Sequence, residues 1–117
     1  MTDLAERFAR TQGWTWHEAP WGSGLDRIVG EPHWCSPEGQ CLAKPAETID
    51  ERILPIIWAD CKAQEWGCKM EYTPWLEPAG HSATVCVDPG WKEYKVFSDD
   101  PVAALCEAYC KAVESAR

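Results

Sequence analysis

The residues best suited to chemistry in this sequence are its seven cysteines and three histidines. His33, Cys35 and Cys41 fall close together in the segment HWCSPEGQC, across a tight turn expected at Pro37-Glu38-Gly39. Cys61 and Cys68 flank an expected helix–strand junction. Cys106 and Cys110 stand at i, i+4, which places both side chains on one helix face. Thiolate and imidazole are the donors of structural zinc, held tetrahedrally at about 2.3 and 2.1 Å. The C-x-x-C and H-x-x-x-H spacings that mark such sites do not occur. The leading reading therefore assigns no cofactor. The alternative is a small zinc-stabilised binding domain using His33, Cys35 and Cys41 with one further cysteine. Otherwise the thiols serve as small buried hydrophobes, above all Cys106 and Cys110, which border an apolar stripe.

Nucleophilic catalysis has less to build on. No sequence context of a cysteine protease or thiol oxidoreductase surrounds any cysteine. There is no G-x-S-x-G, P-loop or G-x-G-x-x-G. The segment WGSGLD sets a serine between glycines but lacks the preceding apolar strand of a nucleophile elbow, so it reads as a loop. Asp99 and Asp100 are accounted for as helix caps. No catalytic residues are assigned.

Binding has a better candidate. Four of the eight tryptophans, Trp14, Trp16, Trp21 and Trp34, crowd the first third of the chain in a stretch rich in glycine and proline. Tryptophan is enriched at interface hot spots, and a loop with this much aromatic area either packs it on a core or presents it to a partner. These four are the expected partner-binding residues.

With 117 residues the chain is the size of one domain, and 45% apolar residues suffice for one core. No apolar run approaches the roughly 20 residues of a membrane span. MTDLAERFAR reads as an amphipathic helix without the apolar stretch of a secretory signal, so a reducing cytoplasm and free thiols are expected. The net charge of −8 opposes binding to phosphate backbones and favours solubility or a basic protein surface. Neither nucleic acid nor membrane is an expected direct partner; monomer and homodimer both remain open.

The elements that must position these residues follow from periodicity and punctuation. A first helix is expected from Asp3 to Gln12, with Asp3 and Glu6 in capping-box spacing, Leu4 and Phe8 on one face, and Gly13 as its end. Residues 13–44 are irregular, save that Leu25, Ile28 and Val29 suit a helical turn or short strand. A second helix is expected from Thr48 to about Trp66, with Thr48 and Glu51 as a capping box, an apolar face of Ile49, Ile53, Ile56, Ile57 and Cys61, and Gly67 as its stop. Pro55 either kinks this helix or starts it afresh.

Three strands come next. Cys68, Met70 and Tyr72 alternate with Lys69, Glu71 and Thr73; Ala83, Val85 and Val87 alternate with Thr84 and Cys86; Trp91 to Phe97 has one solvated face. Turns at Glu77–Gly80 and Asp88-Pro89-Gly90 make these an antiparallel meander. Asp100 caps a last helix with Pro101 at its first position and a stripe of Val102, Leu105, Tyr109 and Val113. The expectation is a single α+β domain: a small three-stranded antiparallel sheet packed with about three helices, in the order α-α-β-β-β-α.

Two stretches resemble a known family. Gly24-Leu25-Asp26-Arg27-Ile28 and the ending Ser98-Asp99-Asp100-Pro101-Val102-Ala103-Ala104-Leu105-Cys106 through Ala112-Val113 are similar to small tailed-phage proteins of the phage ABA-sandwich domain. The matching residues span about a quarter of the chain, and the set of seven cysteines, with the Cys35–Cys41 loop, is not part of the family's pattern. The resemblance transfers no site residue. It implies a non-enzymatic phage accessory protein, acting in the host cytoplasm and binding a host protein with a basic nucleic-acid-binding surface. An inhibitor of a host defence nuclease, of the anti-CRISPR kind, is the specific form of that expectation.

Overall fold

The computed structural model describes residues 2–17, 33–39, 45–75, 80–87 and 92–116. Leu25, Ile28 and Val29, the Gly24–Ile28 stretch, the Asp88-Pro89-Gly90 turn, most of the Glu77–Gly80 turn, Trp21 and Cys41 lie outside these residues. The chain divides into two compact units, Met1–Glu47 and Thr48–Arg117.

In the first unit, α1 runs Asp3–Thr11. Its cap is Thr2 rather than Asp3: the Thr2 hydroxyl accepts from the Ala5 backbone N–H at 3.1 Å. A hydroxyl one residue earlier reaches the third free N–H of the helix, so the Asp3–Glu6 box is not used. Asp3 and Glu6 instead place negative charge at the positive helix end. Ala5, Phe8 and Ala9 are buried and Leu4 is partly covered. Gly13 leaves the helix at φ +93, a conformation that side chains resist. A two-stranded antiparallel ribbon follows, β1 (Thr15–His17) and β2 (His33–Cys35), pairing Thr15 with Cys35, Trp16 with Trp34 and His17 with His33.

The second unit has the expected α+β plan. A 3₁₀ turn, Glu51–Ile53, leads into α2, Leu54–Gln64. The helix therefore starts six residues later than the Thr48–Glu51 box suggested. Pro55 sits in its first turn, where no backbone donor is needed, and begins the helix instead of bending it. Asp50 caps the 3₁₀ turn and grips the Arg52 guanidinium at 2.6 Å, which holds the Asp50 carboxyl below its usual range.

Strands β3 (Gly67–Tyr72), β4 (His81–Val87) and β5 (Lys92–Ser98) form an antiparallel meander with β4 central. Gly67 thus opens a strand; it does not stop the helix. Alternate residues divide the sheet. Ala83, Val85 and Val96 are buried on the face that α3 (Pro101–Ala116) covers. Opposite them Lys69 pairs with Glu71 at 2.9 Å and Lys95 lies over the Phe97 ring. Asp100 caps α3 through the N–H groups of Val102 and Ala103. Leu105, Tyr109 and Val113 are buried as expected, with Cys106 and Cys110 fully sealed beside them. The Tyr109 hydroxyl donates to the Asp60 carboxylate and ties α3 to α2.

Candidate functional site

Helix α2 ends in a turn that decides what its neighbours can do. Ile53, Ile57 and Cys61, at spacings of four, point into the core and are nearly sealed. Ile56, expected on the same face, is 44% exposed, because a step of one residue turns it about 100° from Ile57. Trp58, one step the other way, is also 44% exposed.

At the end of the helix the Trp66 N–H donates to the Cys61 carbonyl at 2.8 Å and the Glu65 N–H to the Lys62 carbonyl at 3.3 Å. This pair of bonds is a Schellman motif. It requires its penultimate residue to be left-handed, and Glu65 adopts φ 61. Among the described residues Glu65 is the only non-glycine with positive φ. The reversal carries Trp66 back over the helix end and brings Cys68, on β3, beside Cys61.

The result is a cleft of about 530 Å³ lined by Trp58, Ala59, Cys61, Lys62, Trp66 and Cys68. Its size suits a small molecule or an anchoring side chain. Two indoles offer apolar faces, Lys62 a cation, and the two cysteines soft sulfur. Burial, then the proximity of Cys68, pushes the Cys61 thiol up to about 12. It is therefore protonated at neutral pH and is not a ready nucleophile. Its described lining offers apolar, cationic and sulfur contacts, which suit the binding of a small molecule or side chain.

Of the tryptophans singled out in the sequence, Trp14, Trp16 and Trp34 are described, all in the first unit. Trp14 is half-buried just after α1. Trp16 and Trp34 face each other across the β1–β2 ribbon, ring centroids 5.4 Å apart and edge to face. The Arg10 guanidinium lies 5.3 Å from the Trp34 ring centre. Trp16 remains 41% exposed and Trp21 lies outside the described residues. The ribbon itself was not legible, since strands of three residues are too short to show alternation. The shared pattern of a central Trp in Thr-Trp-His and His-Trp-Cys was the available signal.

His33 and Cys35 are alternate residues of β2, with Cys35 buried; Cys41, the third proposed zinc ligand, lies outside the described residues. Among the described residues no three His, Cys, Asp or Glu side chains gather to hold a metal ion. Among the described residues Cys61, Cys68, Cys86 and Cys110 are free thiols. No helix of the described residues is long and apolar enough to cross a membrane. Comparison with protein families, with curated proteins and with solved structures finds no match.

Proposed function

We propose that this chain is a non-enzymatic binding protein that docks on a basic protein partner through the α2–β3 cleft. The observation that carries the proposal is the cleft itself, with Trp58 half-exposed at its wall and Ile56 half-exposed on the same helix. Tryptophan in a pocket that water leaves on binding is the usual anchor of an interface. The net charge of −8 selects a basic partner by steering its approach. The resemblance of the Ser98–Val113 ending to the phage ABA-sandwich domain gives the proposal its specific form. In that form the chain is a phage accessory protein and its partner a host protein with a nucleic-acid-binding surface, such as a defence nuclease.

The test is affinity capture from host lysate with the wild-type protein and with Trp58→Ala, both shown to be folded by circular dichroism. A basic protein held by the wild type at low salt, released at high salt and lost with Trp58→Ala supports the reading. Equal capture by both proteins, or capture of nothing above background, sinks it.

A further inference from the structure

Cys61 and Cys68 are set apart from the other thiols by where they sit. Cys106 and Cys110 are fully buried within α3. Cys61 and Cys68 line the same cleft, one on the last turn of α2 and the other on the second residue of β3. Their access differs. Cys61 is 1% exposed, whereas Cys68 is half-buried and reachable by a small solute. The Schellman turn closes the seven-residue step between them and holds helix end and strand start together.

We infer that Cys61 and Cys68 form a reversible oxidative modification site, at which hydrogen peroxide closes a disulfide across the α2–β3 turn. The Cys68 sulfur attacks the peroxide, becomes a sulfenic acid and releases one water. The Cys61 thiol ionises reluctantly, so the second step is the slower one: its sulfur attacks the Cys68 sulfur as its proton passes to the departing hydroxyl, which leaves as a second water. The two thiols lose two hydrogen atoms, and the peroxide is reduced to two waters. The order is fixed by access, because the oxidant meets Cys68 first. Both cysteines line the same cleft, at the two ends of one turn, so the two groups are neighbours before any oxidation.

The two cysteines can be read separately by mass. Trypsin cuts after Arg52, Lys62 and Lys69, so Cys61 and Cys68 leave in different peptides, Ile53–Lys62 and Ala63–Lys69. The folded protein is titrated with hydrogen peroxide until the half-buried Cys86 begins to oxidise, then alkylated, digested and weighed. The expected product is the two peptides joined, two hydrogen atoms lighter than their sum, and separated again by a dithiol reductant. Cys68→Ser abolishes it. Cys61→Ala leaves Cys68 as a sulfenic acid that a 1,3-dicarbonyl reagent traps. Recovery of the two peptides unlinked, or joined to other cysteines, overturns the inference. No partner is needed for this measurement, so its failure is distinct from a failure of the docking proposal.

Discussion

In the β1–β2 ribbon, Trp34 has the Trp16 ring edge on one contact and the Arg10 guanidinium on another. At the α2–β3 junction, Trp58 and Trp66 instead line an open cleft. Both regions concentrate indole area, yet they spend it differently. Edge-to-face packing and a cation over the ring are each worth about 0.5–1.5 kcal/mol, so the ribbon indoles hold their own unit together. The cleft indoles border solvent-filled space that only an added molecule would fill. Aromatic density in a sequence therefore does not say how each ring is packed; the backbone that directs the ring does.

The cleft depends on what lies behind it, and the sharpest way to break it is from the core side. Ile57 is fully buried, so Ile57→Ala is expected to cost about 2–5 kcal/mol, read by urea denaturation. Ile56→Ala, on the neighbouring and half-exposed position, should change stability by about 0.5 kcal/mol or less. Equal losses from the two substitutions would mean that α2 does not present the face described.

The ribbon offers the converse experiment. Trp34→Ala removes both the Trp16 contact and the Arg10 contact, and should destabilise by about 1–3 kcal/mol. A double-mutant cycle between Arg10→Ala and Trp34→Ala should show coupling of about 0.5–1 kcal/mol. Trp34→Ala should leave partner capture unchanged, whereas Trp58→Ala weakens it at least about tenfold. Reversal of that pattern would move the docking surface to the ribbon.

An alkaline titration probes the cleft floor. A thiol in the unfolded chain ionises near its ordinary value of 9.0, while folded Cys61 resists ionisation up to about 12. Between these values the unfolded state has released a proton that the folded state keeps, so stability contributed at lower pH is lost as pH rises through the window. Below 9.0 there is no such dependence. Cys61→Ala should flatten this part of the curve, measured as denaturation midpoint against pH. An unchanged alkaline slope would show that Cys61 is not sealed.

How much of this could be read in advance depends on the length of each pattern. The three strands and α3 are long enough for their periods to show, and Asp100-Pro101 marks the start of α3 by its own chemistry. The ends of α2 were harder. Thr48 and Glu51 have the right spacing for a cap, but Asp50 and Arg52 between them form a tighter local pair. At the other end Gly67 looks like the stop, yet the left-handed position falls on Glu65. The cleft was invisible for the same reason. Trp58 lies off the apolar stripe and Trp66 lies outside any regular element, so neither belongs to a period. Only the turn that joins them places them in one wall.

That turn supplies the smallest prediction and the most specific one. Glu65 occupies the place in a Schellman motif that glycine normally takes, at φ 61. A residue with a side chain costs roughly 1–2 kcal/mol in this conformation, whereas glycine adopts it freely but loses more entropy on folding. Glu65→Gly is therefore expected to stabilise the second unit by about 0.5–1 kcal/mol, seen as a raised thermal midpoint, while the cleft and its peroxide chemistry persist. Glu65→Val, β-branched and ill suited to positive φ, should act in the opposite direction and by more. If both substitutions were neutral, the Schellman turn would not be the device that sets Trp66 and Cys68 against Cys61, and the cleft would need another cause.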